Sequence, residues 1–303
     1  MNEIHKLYQQ LRQRLPQLEL RQDEPMSRHT TFRVGGPAAL MALPRQTEEL
    51  VEAVKLARAW EIPTVMVGNG SNLLVDDNGV NAFVIKTVPQ YAKCHIEGEN
   101  MTAEAGILLS QLANQAAQAQ LTGLEFAHGI PGSLGGGVTM NAGAYGGELK
   151  QVVTQVGVLT SSGEVEEWDA ERCQFAYRHT AFSDGENLVL WAKLHLEPGD
   201  GQEIRDKMKD LAGRRREKQP LDFPSAGSTF KRPEGHFAAA LIDQCGLKGL
   251  RVGGAMVSEK HAGFVVNVGG ATCADILRLM DEVRERVFRD TGVELEPEVR
   301  YLK

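Results

Sequence analysis

Between Gly129 and Gly147 the sequence reads GIPGSLGGGVTMNAGAYGG, eight glycines in nineteen residues. A hairpin needs one or two glycines. This density implies main chain lying flush against something flat or bulky, because glycine has no Cβ to block close approach. Ile130-Pro131 stiffens the start of the stretch, while Ser133, Asn141 and Tyr145 supply hydrogen-bonding groups among small residues. Two readings stay open. Either an extended dinucleotide lies against this backbone, or the stretch is a tightly wound crossover of the core. It holds a quarter of the chain's 32 glycines, a content above the ordinary ~7%.

A second bend, Gly68-Asn69-Gly70, stands between two apolar runs in TVMVGNGSNLLV. It is no Rossmann fingerprint: Leu73 occupies the third glycine position, and the strand-like SNLLV follows where a helix is required. No GxxxxGK[ST] phosphate loop occurs either. Such a turn can still present several backbone N–H groups together as an anion nest suited to a diphosphate, with Ser71 and Asn72 adding side-chain donors. A plain hairpin turn is the other reading.

The length of 303 residues predicts about two domains. The spacing of Ile4, Leu7, Leu11, Leu15 and Leu18 predicts a helix over 3–18. Thr47 is expected to open a second helix, with Glu48 and Glu49 in the first turn where the dipole favours anions and Leu50, Val51, Val54 and Ala57 on its buried face, and residues 107–120 are expected to form a third. Strands flanking SSGE (161–164) predict a hairpin, and 188–196 alternates as a half-buried strand. EPGDGQ (197–202) is the expected domain boundary. Beyond it come a helix ending in RRREK (214–218), a helix near 237–244 closed by Gly246, and strands near 252–257 and 263–268. The last helix is capped by Thr272 and Asp275, carries Ile276, Leu279, Met280, Val283 and Val287 as its core stripe, and ends at Gly292.

A net charge of −7 gives no electrostatic reason for binding nucleic acid or anionic membrane. The four cysteines form no CxxC pair, and the histidines show no HxxxH or HExxH arrangement, so no metal is expected. The N-terminal residues carry charges throughout and read as neither signal peptide nor membrane span. A cytoplasmic protein is expected.

TFRVGGPA, GNGSNLL, GIPGSLGGGVTMNAGAYGGE, YRHTAF, PSAGSTFKRP, KHAGFVVN and PEVR occur in this order from about residue 29 to 301. The ordered set resembles the UDP-N-acetylenolpyruvoylglucosamine reductase (UDP-N-acetylmuramate dehydrogenase) family. The resemblance implies an α+β fold: an FAD-binding, two-lobed domain of the p-cresol-methylhydroxylase/vanillyl-alcohol-oxidase type over 28–199, with the helical segment 1–27 packed on it, then an α+β substrate-binding domain over 203–303. It implies non-covalent FAD held by Gly68, Asn69, Gly70, Ser71, Asn72 and Leu73, by Gly132, Ser133, Gly136, Asn141, Gly143, Ala144 and Tyr145, and by Arg300. NADPH is the implied reductant and UDP-N-acetylglucosamine enolpyruvate the implied substrate, in a peptidoglycan-making bacterium. The family's longer form inserts a tyrosine-bearing loop after its catalytic arginine. Here no room for it exists between Arg178 and the Leu188–Leu196 strand, so the chain resembles the shorter form.

By the same resemblance, Ser228 is the proton donor, Arg178 stabilises the developing enolate, and Glu298 assists in that charge network. A hydroxyl is a poor acid in water but serves a basic carbon if its geometry is fixed; a guanidinium is permanently charged and shaped for a carboxylate. Read singly, Ser228 is turn chemistry and Arg178 and Glu298 are solvated charges. Lys218, Arg215 and Lys260 are the implied substrate contacts, although cations at a helix C-terminus also complement its dipole without any ligand. His261 is expected to be structural. A monomer is expected. An oxidase of the same fold, marked by a flavin adduct on histidine, and a colourless sugar-nucleotide-binding protein are the competing readings.

Overall fold

The structure, a computed structural model, describes residues 3–303. The chain forms two compact units, and each is discontinuous in sequence. The first takes in the chain up to residue 22, 40–69 and 82–214; the second takes in 23–39, 70–81 and 215–303.

In the first unit, α1 (Glu3–Arg14) buries Leu7 and Leu11 completely. It stops short of the expected Leu18, because Pro16 disfavours helical geometry in the residue before it; Leu18 is buried all the same. Helix α2 (Thr47–Ala59) opens at Thr47 as expected, with Glu48 and Glu49 in its first turn, and its cap position, Gln46, makes no side-chain cap bond. Glu49 instead accepts from the Arg45 N–H at 2.8 Å, placing a carboxylate at the positive end of the helix. Next come α3 (Leu109–Gln118) and the short α4 (Leu134–Thr139) inside the glycine-rich stretch.

Five antiparallel strands form the main sheet of this unit, in the order Val165–Asp169, Val153–Leu159, Leu188–His195, Asn100–Glu104, Cys94–Glu97. The expected hairpin at 161–164 is present, with Leu159 opposite Val165. Leu190, Ala192 and Leu194 point to one buried face, as their alternation requires. Elsewhere Thr64–Val67 pairs parallel with Val80–Lys86, Val67 lying opposite Lys86.

EPGDGQ is not a linker. Glu197–Pro198 pairs with Leu121–Thr122, and the Asp200 carboxylate accepts from the N–H groups of Gln202 and Glu203 at 2.8 and 2.9 Å. It thereby caps α5 (Gly201–Lys218). The division between the units falls inside that helix, at Arg214/Arg215. A polar, turn-forming run can start a helix as readily as it can join two domains, and local composition does not separate the cases.

The second unit packs α6 (Ala238–Gln244) and α7 (Cys273–Thr291) with three short antiparallel strands, Arg251–Val252, Ala255–Val257 and Val265–Asn267. The run expected as one strand over 252–257 is two, broken at Gly253, whose φ of +54° turns the chain. Thr272 and Asp275 form the expected capping box, at 3.0 and 3.2 Å, and Gly292 ends α7 at φ +71°. The stripe from Ile276 to Val287 joins Phe32, Val34 and Leu74 in the core.

Segments 23–39 and 70–81 belong here for identifiable reasons, and the expected division near residue 200 does not describe them. Leu73–Val75 pairs parallel with Arg300–Leu302. Asp77 accepts from the N–H groups of Cys273 and Ala274 at 2.8 and 3.0 Å, and Asn267 donates to the Phe32 carbonyl at 3.0 Å. Because Thr64–Val67 and Leu73–Val75 each pair elsewhere, the hairpin reading of the Gly68-Asn69-Gly70 bend is excluded.

Candidate active site

The glycines of 129–147 divide by what they face. A Cβ on Gly135 would lie 2.7 Å from Ala105 Cβ, one on Gly137 2.8 Å from a Leu149 methyl, and one on Gly147 2.4 Å from the Phe126 ring. These three serve close packing inside their own unit, as the core-crossover reading requires. Gly136, in contrast, is exposed and would meet only Ser133 Oγ, at 3.6 Å. Ser133 caps α4 and is buried. The N–H groups of Leu134 and Gly135 donate to the carbonyls of Ile107 and Ala105, both at 2.8 Å, so the start of α4 is committed to the protein itself. Gly132 joins this region through its carbonyl, which accepts from the Leu109 N–H at 2.9 Å.

Gly143–Ala144 and Gly147–Glu148 pair across a two-residue turn, Tyr145-Gly146, in which both central residues have positive φ (+53° and +87°). That is the mirror-image turn favoured in hairpins, but tyrosine is a costly residue for its first position. The turn leaves Tyr145 46% exposed. Arg178 sits in a second tight turn, where the Ala176 N–H donates to the His179 carbonyl at 2.9 Å and Arg178 itself has φ +53°. Its guanidinium lies 5.3 Å from the exposed Tyr177 ring.

Asn141 ties the two turns together. It is buried and has φ +42°. Its amide donates to Glu148 Oε2 at 2.8 Å and to the Ala176 carbonyl at 3.1 Å, and its oxygen accepts from the Lys150 N–H at 3.0 Å. On the far side of the Arg178 turn, Thr180 donates to the Thr139 carbonyl at 2.8 Å. Three non-glycine residues in the left-handed region, held by one amide, mark strain kept where the surroundings over-determine it. One of the three side-chain hydrogen bonds of Asn141, a residue expected among the cofactor contacts, holds the Arg178 turn, and the other two hold Glu148 and Lys150.

Gly68 ends the strand Thr64–Val67, and a Cβ there would lie 2.0 Å from Ser133 Oγ. Asn69 donates to the Pro131 carbonyl at 2.6 Å, joining the two glycine-rich bends. Gly70 has φ +66°, and a Cβ on it would lie 2.0 Å from the His29 carbonyl, so no other residue fits. Beneath the bend, Lys86 at the end of its strand is 6% exposed and donates to the Gly68 carbonyl. Burial pushes its ammonium down to about 8. Nothing in the sequence singled this lysine out.

Lys86 should leave a pH signature in the flavin-free protein. An amine whose folded value lies near 8, against an unfolded value near 10.4, binds fewer protons when folded. Stability therefore rises with pH across that window, the burial cost being fully present below pH 8 and gone above about 10.5. The expected gain is on the order of 3 kcal/mol across the window. Thermal unfolding of wild type and Lys86→Met, compared at pH 7 and pH 10, should show the gap between them closing; a gap independent of pH would contradict the burial of a charged amine.

In the second unit Ser228 follows Gly227, which has φ +77°, and is exposed. The chain just beyond it is clamped from both sides. Thr229, fully buried, donates its N–H to the Gly263 carbonyl at 2.8 Å, and its hydroxyl accepts from the Val265 N–H at 2.9 Å. Its carbonyl accepts from the Glu298 N–H at 2.8 Å, and Phe230 bridges Pro297. The Glu298 carbonyl accepts from Asn72 Nδ2 at 3.1 Å, the Arg300 N–H donates to the Asn72 carbonyl at 2.9 Å, and Arg300 pairs with Leu73. Ser228, Glu298, Arg300, Asn72 and Leu73 thus occupy one small region, with Ser71 next in the chain.

Lys218 and Arg215 lie in the last turns of α5. Lys260 donates to the Arg216 carbonyl at 2.6 Å, so it complements the negative end of that helix. Beside it opens a cavity of about 610 Å³ whose lining includes Pro220, Phe223, Arg251, Ser258 and Lys260. His261 is structural: its Nδ1 accepts from the Gly263 N–H at 3.2 Å, its ring stacks edge-on against Phe264 at 5.0 Å, and burial lowers its pKa. Among the described residues no cluster of three His, Cys, Asp or Glu side chains could hold a metal ion, and no helix is long and apolar enough to cross a membrane.

The residues present suit FAD: the exposed Gly136, a bend that admits no side chain at Gly68 or Gly70, and the buried Lys86 bonded to it. Comparison with known proteins agrees. A family model described as an FAD binding domain matches residues 38–169, and one described as the C-terminal domain of UDP-N-acetylenolpyruvoylglucosamine reductase matches 219–302. The chain is 48% identical to the UDP-N-acetylenolpyruvoylglucosamine reductase of Alkaliphilus oremlandii, over 97% of each chain, and 48% identical to that of Agathobacter rectalis, over 96% of each. The crystal structure of the UDP-N-acetylenolpyruvylglucosamine reductase of Thermus caldophilus is similar at a TM-score of 0.81, with 37% identity over 95% of this chain and 99% of that one. By these matches along nearly its whole length, the chain belongs to the UDP-N-acetylenolpyruvoylglucosamine reductase family.

Proposed function

We propose that the chain reduces the enolpyruvyl ether of UDP-N-acetylglucosamine enolpyruvate to the lactyl ether, giving UDP-N-acetylmuramate for peptidoglycan precursor synthesis, with FAD as cofactor and NADPH as reductant. FAD, when bound, supplies the hydride for the terminal alkene carbon. The chain's own residues do the rest. Arg178 receives the negative charge driven onto the conjugated carboxylate, its planar guanidinium being always protonated. Ser228 gives its hydroxyl proton to the adjacent carbon. Glu298 assists in the same charge network.

The observation that carries this reading is the clamp around Ser228. An exposed hydroxyl, followed by a fully buried Thr229 bonded to Gly263, Val265 and Glu298, has the fixed geometry that a weak acid needs to act on carbon. For the nucleotide, the ~610 Å³ cavity beside Lys260 falls in the usual range for small-molecule sites, with Lys218 and Arg215 as cations for its diphosphate. Gly68 to Leu73, the exposed Gly136, Tyr145 and Arg300 are assigned to FAD. Net charge −7 favours no polyanionic partner, and the reading is of a cytoplasmic monomer.

Anaerobic NADPH should bleach the flavin of the purified holoenzyme, and the enolpyruvyl sugar nucleotide should restore its colour. Initial rates should give parallel double-reciprocal lines, as one pocket serves the two substrates in turn. Intersecting lines, or a complex holding both at once, would refute the shared pocket. A bleached flavin that the enolpyruvyl sugar nucleotide leaves bleached would refute the activity.

A further inference from the structure

Lys86 belongs to no motif and takes part in no step described above. Its ammonium is buried, yet its hydrogen bond is to a main-chain carbonyl, that of Gly68, and no Asp or Glu pairs with it among the described residues. Buried charges in proteins are ordinarily paired. This one is kept without a carboxylate, directly under the bend whose next residues are Asn69 and Gly70. Its position is fixed by the sheet, since Lys86 lies opposite Val67 in the parallel pair, and the Thr87 N–H donates to the Val67 carbonyl at 3.0 Å.

We propose that Lys86 is the buried countercharge and anchor of the bend that takes the diphosphate of FAD. In a nest of successive N–H groups the carbonyls point the opposite way. A cation bonded to the Gly68 carbonyl from below holds that carbonyl inward, leaves the following N–H groups free for an anion, and places a positive charge behind them in a medium of low polarity, where it acts strongly. The missing partner of the lysine is then the anionic ligand itself. Lys86 is a positioning residue rather than a catalytic one, and its role rests on the assignment of the Gly68–Leu73 bend to FAD.

The test uses flavin-stripped protein and two ligands, FAD and riboflavin, which lacks the diphosphate. Wild type should bind FAD far more tightly than riboflavin, measured by quenching of flavin fluorescence. Lys86→Met and Lys86→Gln should each shrink that preference about ten- to hundredfold, while Lys86→Arg, which keeps the charge, should restore most of it. The flavin-free Lys86→Met protein should unfold at a temperature no lower than wild type, since an unpaired buried charge has gone; a purely structural lysine would lower both stability and the binding of either ligand alike. Should Lys86→Met fail to unfold cooperatively, Lys86→Gln carries the same comparison. An unchanged preference for FAD in Lys86→Gln overturns the inference while leaving the bend's assignment standing. Wild-type binding of riboflavin as tight as that of FAD overturns both.

Discussion

Ser228→Ala should leave reduction of the flavin by NADPH nearly untouched and slow its reoxidation by the enolpyruvyl substrate by a factor on the order of 10³. The asymmetry is the point of the experiment. In the first half-reaction nothing accepts a proton from Ser228; in the second, its proton completes the reduction. The substitution removes one oxygen from an exposed side chain, so no buried partner is orphaned. The clamp on Thr229 uses that residue's own backbone and hydroxyl and survives intact. Unfolding temperature should therefore be unchanged within a degree or two. Stopped-flow absorbance at the flavin bands separates the half-reactions. An equal fall in both would make Ser228 a structural residue and send the search for the acid elsewhere, Glu298 being the obvious next variant.

The other large effect is expected at Asn141, which touches no substrate in the proposed scheme. Asn141→Ala would orphan the Lys150 N–H, leave the Ala176 carbonyl with its long 3.4 Å bond from the His179 N–H, and leave Glu148 without its amide partner. Leaving a buried polar group unsatisfied costs about 1–3 kcal/mol. With partial relaxation toward water, a total of about 3 kcal/mol is expected, several degrees in unfolding temperature. The Ala176 carbonyl belongs to the turn that aims Arg178, held at φ +53°. Freed on that side, the guanidinium loses its fixed direction, and the second half-reaction should slow by about ten- to hundredfold. Asn141→Asp keeps the acceptor for Lys150 but sets a second carboxylate against Glu148, and should be no better. If the protein loses stability while substrate reduction keeps its rate, Asn141 holds the fold and has no part in aiming Arg178.

Much of the secondary structure was legible because its causes are local. The caps of α7, Thr272 with Asp275 at one end and Gly292 at the other, are satisfied within one turn of each end, so residues three apart suffice to predict them. The alternation over Leu188–His195 and the stripe of α7 are likewise short-range periods. Where local signals were ambiguous the reading failed. EPGDGQ carries a helix cap and not a linker, and the 252–257 strand is broken at Gly253.

By itself, the sequence determined that a glycine-rich bend occurs twice, that no Rossmann or phosphate-loop motif explains it, and that Ser228, Arg178 and Glu298 lie in an ordered set of motifs resembling one reductase family. Only the tertiary structure decided which glycines face their own core and which stay open, why 70–81 joins a unit built mostly from the C-terminal third, and that Lys86 bonds to the Gly68 carbonyl and Asn141 to the turn that holds Arg178. The physical reason is the reach of the interactions. A parallel pairing of Leu73–Val75 with Arg300–Leu302, or one amide joining two turns, leaves no periodicity in the chain, because the partners are brought together by packing and not by spacing.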